Sequence, residues 1–193
     1  MLILNNKKNE EEQFPRRQVL KSGLIVATAA MLWWPNTSEA KSRALKDGRE
    51  VRMKNMHTGE KFKGEYWYKG TYIPDAFQEI KSVMKDHRAG ISFPIDPRLM
   101  DILFVLQQRL DNEKSFEVFS GYRSPQTNKK LRRMTFGVAK KSLHMTGQAI
   151  DLRLPGSRLR DVRKQAAALR AGGVGYYPKS NFLHIDTGRV RQW

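Results

Sequence analysis

Two short segments, AIDLRL (149–154) and FLHID (182–186), share an alternation of side chains that restricts how this chain can fold. Aliphatic residues occupy every second position of both segments, and mostly charged or imidazole side chains lie between them. Successive side chains of a strand point to opposite faces, so each segment is predicted to be a strand with one core face and one polar face. Asp151, His184 and Asp186 lie on those polar faces.

His144 precedes Asp151 by seven residues, with Gly147 between them. On one helix the two side chains would be about 10.5 Å apart along the axis, and on a straight strand further. Two ligands that each lie ~2.0–2.2 Å from one zinc ion cannot be so separated. If both residues bind one ion, the chain must fold back between them, and Gly147 is the predicted position of that turn. Spacing alone leaves open a hydrogen-bonded His–Asp pair without a metal.

The chain has 193 residues, of which 39% are hydrophobic, and it contains no cysteine. This length suits one domain with a real core and is hardly enough for two. Without cysteine, disulfides, thiolate metal sites, cysteine nucleophiles and a lipid-modified cysteine are all excluded. Any metal ion must therefore be held by His, Asp or Glu.

The first 40 residues are predicted to be a twin-arginine export signal. Arg16 and Arg17 precede the apolar run GLIVATAAMLWW (23–34), and SEA (38–40) offers a cleavage site after Ala40. The run would be about 18 Å long as a helix, too short for a bilayer core of ~30 Å, so no stable membrane anchor is expected after cleavage. The alternative is a buried N-terminal helix. With the signal, residues 41–193 form the exported domain and its location is the periplasm.

The formal net charge of the whole chain is +17, and removal of residues 1–40, which carry a net +1, leaves +16. Strongly basic surfaces bind nucleic acid, anionic membranes or other polyanions. In an exported protein the carboxylate-rich bacterial wall is the expected partner and nucleic acid is not. A solvated surface that only aids solubility is the alternative.

The rest of the chain indicates an α+β fold, with an antiparallel sheet and flanking helices. Apolar spacing predicts helices over 74–88, 95–110, 125–134 and 158–171, the last with Ser157 as its cap. Residues 51–68 are predicted to form two strands joined by a turn at HTGE, and 115–124 and 174–178 read as further strands. His57 in that turn and His87 at the end of the first helix are interpreted as structural residues.

Three longer stretches carry a resemblance: SGYRSPQTN (120–128), KSLHMTGQAIDL (141–152) and GGVGYYPKSNFLHIDTGRVRQW (172–193). They resemble the zinc D,D-peptidases of the hedgehog/D-Ala-D-Ala peptidase type, most closely a murein endopeptidase subgroup with a twin-arginine signal. NMHTGEKFKGEYWYKGTYI (55–73) is similar to that same subgroup. The resemblance spans nearly all of residues 41–193.

The resemblance implies that zinc is the cofactor and that His144, Asp151 and His184 are its ligands. It also implies that Arg123 contacts the substrate carbonyl or carboxylate, where a fixed cation stabilises an oxyanion. Ser142 and Gln148 are expected to contact substrate or orient ligands. A surface salt bridge is the alternative role of Arg123.

One position departs from the pattern, because many relatives carry an acidic general base three residues before the last ligand. Asn181 occupies that position here. Asp186 is the nearest carboxylate on the same strand face, and two roles are open to it. It acts either as the general base or as the partner that orients His184.

The function implied is that of an exported zinc endopeptidase, which hydrolyses peptide cross-links between peptidoglycan stem peptides through a zinc-activated water. The twin-arginine translocation machinery would be its second partner. Two alternatives are a zinc-containing wall-binding domain without turnover, which Asn181 favours, and a D,D- or L,D-carboxypeptidase.

Overall fold

The computed structural model describes residues 48–135 and 137–193. The predicted export signal lies outside the described residues, as do residues 41–47. Within the described part, no helix is both long enough and apolar enough to cross a membrane.

One sheet organises the described chain. Its eight strands run in the order β3-β2-β1-β4-β5-β7-β6-β8. Their bounds are β1 Gly48–Asn55, β2 Lys61–Tyr68, β3 Thr71–Tyr72, β4 Phe116–Ser120, β5 Ala149–Arg153, β6 Gly173–Tyr177, β7 Phe182–Asp186 and β8 Arg191–Gln192. The hairpin predicted over 51–68 is confirmed, and Gly59 in its turn has a φ of +77°.

The prediction of an antiparallel sheet is wrong in part, because the sheet is mixed. β1 and β4 pair in parallel, and so do β6 and β8. The chain passes through two helices between β3 and β4, so it re-enters the sheet beside β1 in the same direction. A helical connection of this kind is what parallel neighbours require. The other five pairings are antiparallel.

Four α-helices and one short 3₁₀ helix accompany the sheet. They are α1 Pro74–Val83, α2 Pro97–Leu110, α3 Pro125–Met134, α4 Leu159–Leu169 and the 3₁₀ helix Leu143–Thr146. Proline begins α1, α2 and α3, where its missing N–H costs nothing. The Asp96 side chain caps α2 by accepting from the Arg98 N–H. The predicted cap Ser157 is wrong: α4 has Arg158 at its N-cap, and the Ser157 hydroxyl accepts from Asn112 instead.

The helix predicted over 74–88 ends early, at Val83. The chain then turns through a segment fixed by Asp86, whose carboxylate accepts from the N–H groups of Arg88 and Ala89 and, across 38 residues, of Ser124. A buried carboxylate that binds backbone N–H groups favours a turn over further helix. His87 therefore leaves the helical stripe, and its ring stacks on His57 with the centroids 3.9 Å apart.

The core lies between the sheet and the helices α1, α2 and α4. Its fully buried members include Leu99, Leu103 and Leu106 of α2, packed with strand residues such as Ile150 and Leu183. The alternation predicted for β5 and β7 is confirmed, because their aliphatic side chains join this core. The side chains between them point to the other face of the sheet.

Candidate metal centre

His144 lies in the 3₁₀ helix that precedes β5. Gly147 ends this helix with a φ of +66°, and the chain then turns into β5. A Cβ at Gly147 would lie 2.0 Å from the carbonyl oxygen of Pro94, so the turn requires glycine in both conformation and space. The predicted reversal at this position is confirmed. It brings the His144 ring back onto the polar face of β5.

Asp151 and His184 are direct partners in the antiparallel register of β5 and β7. Directly opposed residues of such a pair project to the same face of the sheet at short range. The Nδ1 of His184 lies 2.9 Å from the Oδ1 of Asp151, and the Nε2 of His144 lies 3.2 Å from both atoms. The structure thus brings together three residues that are up to 40 positions apart in sequence.

The outer nitrogen of each histidine has a fixed partner. The Nδ1 of His144 lies 2.7 Å from the carbonyl oxygen of Gly121, which accepts only, so Nδ1 carries the proton. The Nε2 of His184 lies 3.0 Å from the Oδ2 of Asp186, and Nε2 donates there in the same way. In the neutral rings the inner nitrogens then present lone pairs to each other and to a carboxylate oxygen. Three acceptors in contact require a proton or a cation between them.

The spacing of these three atoms suits a zinc ion. Ligand atoms ~2.0–2.2 Å from a tetrahedral ion lie roughly 3.3–3.6 Å from one another. The observed separations of 2.9–3.2 Å are slightly smaller than these values. His144, Asp151 and His184 form the cluster of metal-type side chains that the described residues contain. The donor set therefore fits zinc, and three protein ligands are the number found in catalytic zinc sites.

Asp186 has no exposed surface and accepts four sets of hydrogen bonds. Besides His184, these come from the guanidinium of Arg191 at 2.6 and 3.0 Å and from the N–H groups of Gly173 and Gly188. Burial alone would raise the pKa of this carboxyl, but its bonds to His184, Arg191 and the backbone hold the pKa well below its usual range. Asp186 is thus a charged, buried acceptor behind His184, on the side away from His144 and Asp151.

The charges of the centre reinforce one another. Burial would raise the pKa of Asp151, but the adjacent His144 and His184 hold it well below the ordinary value. Burial would lower the pKa of His184, but its bonds to Asp151 and Asp186 outweigh this effect and raise the pKa to about 9. The site stabilises positive charge between its three donor atoms, whether the charge is a proton or a metal ion.

Arg123 lies beside the three donors, with its Nη2 3.6 Å from the Oδ2 of Asp151. Long contacts to Ser120 and Asn128, at 3.4 and 3.5 Å, hold its guanidinium. Its Nε is buried and has no hydrogen-bond partner. Burial also lowers the pKa of Arg123, partly offset by the charge of Asp151. A buried donor without a partner beside a metal-type cluster is suited to receive an oxygen of a bound molecule.

A cavity of about 670 Å³ is lined by His144, Asp151 and His184 and by Arg123. Of the two residues expected to contact substrate or orient ligands, Ser142 lines the cavity and Gln148 does not. Gln148 is engaged with its neighbours instead: its side chain accepts from the Thr146 hydroxyl and its carbonyl accepts from the Thr187 N–H.

The sequence leaves open whether Tyr176, Tyr177 and Trp193 line a cleft or belong to the core. Tyr177 and Trp193 line the cavity, together with Phe182, which sequence reasoning missed. The rings of Tyr177 and Phe182 stack at 4.6 Å, and the Trp193 ring lies 5.3 Å from that of His184. The Trp193 N–H also donates to the Tyr177 hydroxyl. Short apolar segments give no sequence signal that separates such cavity aromatics from core aromatics.

Asn181 lies in the loop between β6 and β7 with a φ of +53°. Asn is several-fold enriched in this left-handed conformation among non-glycine residues. Asn181 is also absent from the cavity lining. Its backbone role in the turn gives a structural reason for Asn at this position.

Comparison with known proteins decides the family. The model of one protein family, described as peptidoglycan L,D-endopeptidase MepK, matches residues 43–193. This chain belongs to that family. The resemblance found in the sequence is confirmed, and the matched range contains every residue of the metal centre and of the cavity.

Relatives within the MepK family match over most of their length. The peptidoglycan L,D-endopeptidase MepK of Escherichia coli (strain K12) is 42% identical over 178 residues, or 92% of this chain and 96% of the relative. The protein of that name from Shigella flexneri matches equally. A probable peptidoglycan L,D-endopeptidase MepK from Haemophilus influenzae is 41% identical over 146 residues, or 75% of this chain and 78% of the relative.

Proposed function

We propose that this chain is a zinc-dependent murein endopeptidase that hydrolyses peptide cross-links of peptidoglycan. The observation that carries the proposal is the convergence of three lone-pair donors at the base of a cavity, two of them nitrogens of histidines whose outer nitrogen has a fixed partner. The names of the family and of its relatives support the same activity. We propose further that the α+β fold is of the hedgehog/D-Ala-D-Ala peptidase type.

Zinc would be held by the Nε2 of His144, the carboxylate of Asp151 and the Nδ1 of His184. When bound, zinc lowers the pKa of a coordinated water to about 7 and polarises a carbonyl. The chain supplies the orientation of these ligands. The Gly121 carbonyl fixes the tautomer of His144, and Asp186 fixes the tautomer of His184.

Arg123 supports the polarised carbonyl of the substrate. Its buried Nε lacks a partner, and its position beside Asp151 places a fixed positive charge next to the donors. A preorganised cation in a buried site stabilises the negative charge that develops on a carbonyl oxygen during amide hydrolysis. Ser142, which lines the same cavity, is a further substrate contact.

Of the two roles open to Asp186, the geometry favours positioning over proton transfer. Its carboxylate is fully buried, is bound by Arg191 and two backbone N–H groups, and touches the nitrogen of His184 that faces away from the centre. Such partners raise the basicity of a histidine ligand and fix its ring. Among the described residues that line the cavity, Asp151 is the single carboxylate.

The relatives' name specifies an L,D bond. The sequence does not say which cross-link is cut, the bond between two diaminopimelates or the bond between D-Ala and diaminopimelate. The first joins an L-centre to a D-centre, whereas the second does not. We therefore propose the cross-link between two diaminopimelates as the substrate bond.

We propose that residues 1–40 direct export by the twin-arginine route, with cleavage after about Ala40 and a periplasmic location. The support is the order of Arg16, Arg17, the apolar run and the small residues before the cleavage site. Substitution of both arginines by lysine is expected to leave the full-length chain in the cytoplasm. Periplasmic accumulation of that variant would show that another route is used.

The test of the activity is digestion of isolated cross-linked peptidoglycan by the purified, metal-loaded protein, with muropeptides followed by mass spectrometry. We expect dimers linked through two diaminopimelates to disappear. A chelator should stop their hydrolysis, and added zinc should restore it. Trimming of terminal residues with dimers intact would identify a carboxypeptidase. Retention on peptidoglycan without any change in muropeptides, although zinc is bound, would identify a binding domain.

A further inference from the structure

The segment between Glu117 and Asp151 has an unusual charge pattern. Residues 118–150 contain no Asp or Glu, but they contain seven cations. One of these is Arg123 of the metal centre. The other six are Lys129, Lys130, Arg132, Arg133, Lys140 and Lys141.

These six side chains are exposed and form what we call the α3–loop surface. Four lie on α3 and two lie in the loop that leads to the 3₁₀ helix. Within the described part of the chain, none of the six side chains makes a hydrogen bond, an ion pair or a cation–π contact. Some other cations are paired, such as Arg49 with Asp101 and Arg153 with Glu117. Being unpaired is therefore not what distinguishes the six; their position beside the cavity is.

The α3–loop surface continues into the cavity. Thr135, directly after α3, and Val138, Ala139 and Lys141 of the loop all line the cavity. The buried Asn128 links α3 to the loop and to the metal centre. Its amide donates to the Ala139 carbonyl at 3.0 Å, and its oxygen lies 3.5 Å from the Arg123 guanidinium. Unpaired positive charge therefore begins at one rim of the cavity and extends away from the three donors.

The part of the lining that comes from β6, β7 and the end of the chain has a different character: it includes Tyr177, Phe182 and Trp193, and its one cation, Arg191, is paired with Asp186. The cavity thus has one aromatic side and one side that continues into cations. If the basic residues only aided solubility, they would not need to be concentrated at one side of the cavity. A polyanion that extends beyond the cavity on that side would be attracted by it.

We propose that the α3–loop surface binds the free carboxylates of peptidoglycan stem peptides that neighbour the bond in the cavity. This inference rests on the proposed function. A soluble cross-linked dimer fills the cavity alone, whereas intact peptidoglycan offers many carboxylates at once. Several weak ion pairs then act together and hold the protein on the polymer. Each pair lies in water and is screened by salt, so this retention must weaken as the ionic strength rises.

The test replaces Lys129, Lys130, Arg132 and Arg133 with glutamine, since none of these four lines the cavity. The control replaces Lys61, Lys63, Arg109 and Lys164 with glutamine; these are exposed, lie on β2, α2 and α4, and remove the same charge. Both variants are checked for folding by circular dichroism. Co-sedimentation with isolated sacculi measures retention, and hydrolysis of a purified dimer measures the chemistry.

We expect the α3 variant to lose about tenfold or more in retention on sacculi and to lose most of its salt dependence. Its rate on the soluble dimer stays within about twofold of the unsubstituted protein, and the control variant keeps its retention. Sacculi whose carboxylates are blocked by amidation are expected to retain neither the unsubstituted protein nor the α3 variant.

Equal losses in both variants would show that net charge, not this surface, is responsible, and would overturn the proposal. Unchanged retention of the α3 variant would overturn it too. So would a loss of binding to vesicles of anionic phospholipid with no loss on sacculi, because the surface would then bind membrane. If the unsubstituted protein is retained through this surface but cleaves no dimer, the proposed function fails while the surface assignment stands.

Discussion

The Nε2 of His184 lies 3.0 Å from the Oδ2 of Asp186, two residues further along the same strand. This contact turns the other ring nitrogen, Nδ1, toward Asp151 and His144. Asp186 is itself held by Arg191 and by two backbone N–H groups. The orientation of the His184 ring is thus set by a network behind it whose central carboxylate, Asp186, is fully buried.

Substitution of Asp186 by Asn is expected to weaken zinc binding about 10- to 100-fold, because the ring of His184 loses its charged acceptor. Competition with a chelating dye measures the dissociation constant. Asp101→Asn is the control, since Asp101 is likewise a carboxylate that accepts several hydrogen bonds, three in all, but lies outside the centre. Unchanged zinc affinity together with lost turnover would instead make Asp186 the general base.

Zinc is expected to raise the thermal midpoint of the metal-free protein. At a thousandfold excess over the dissociation constant, binding adds ~4 kcal/mol to the free energy of unfolding, or roughly 10 °C for a domain of this size. His144→Ala removes one donor and should abolish most of the shift. His87→Ala, which removes a histidine outside the centre, should keep it. An equal shift in both variants would place the metal elsewhere. Differential scanning calorimetry gives the measurement.

Much of the metal centre was predictable because its determinants are local. The alternation in β5 and β7 fixes which side chains face away from the core, and Gly147 marks the reversal that brings His144 to them. The α+β class follows equally from local spacing. The pairing of Asp151 with His184 is not local: the alternation makes both side chains candidates for one site, but it does not give the strand register that places them opposite each other.

The features that sequence reasoning missed depend on contacts across the fold. The parallel pairing of β1 with β4 follows from the path of the chain through α1 and α2. The early end of α1 follows from Asp86, which binds the N–H of Ser124. Neither contact leaves a periodic trace in the sequence, because each depends on a partner more than 35 residues away.

Gly147→Ala is expected to destabilise the protein by ~3 kcal/mol or more and to weaken zinc binding. The new Cβ would lie 2.0 Å from the Pro94 carbonyl oxygen, so the turn between His144 and Asp151 must move. Gly90→Ala separates this effect from backbone strain, because Gly90 has a similar φ of +68° and no atom near its Cβ position. Its cost should be only ~1–2 kcal/mol. Urea unfolding measures the free energy of unfolding of both variants. Equal losses of stability would mean that the backbone moves away from the new Cβ without a further energetic cost.

Asp86→Asn is expected to destabilise the protein by ~2–3 kcal/mol near pH 7, because an amide nitrogen would face the N–H of Ser124. Burial would raise the pKa of Asp86, but its hydrogen bonds lower the pKa below the ordinary value. A carboxyl with a depressed folded pKa stabilises the fold above its unfolded pKa of ~3.9 and loses this effect as the pH falls through the folded pKa.

The stability difference between the Asp86 variant and the unsubstituted protein should therefore be full at pH 7 and should shrink below about pH 4. Urea unfolding at a series of pH values measures it. Asp161→Asn, which breaks the ion pair with Arg158 on the surface of α4, should cost less than ~1 kcal/mol throughout. A difference that is constant across the series would show that the charge of Asp86 contributes nothing.

Arg123→Gln is expected to lower kcat/KM on a cross-linked dimer by about 10²–10³, since it removes the fixed cation that faces the developing oxyanion. Arg123→Lys should recover part of this loss, because an ammonium keeps the charge but lacks the guanidinium Nε, the buried atom that has no partner in the structure. Zinc affinity is measured on the same preparations. It should change little, because Arg123 contacts Asp151 only at 3.6 Å and is not a ligand. If activity falls only as much as zinc binding falls, Arg123 acts by supporting the ligand Asp151 and not by contacting the substrate. Full activity of the glutamine variant would remove it from the reaction altogether.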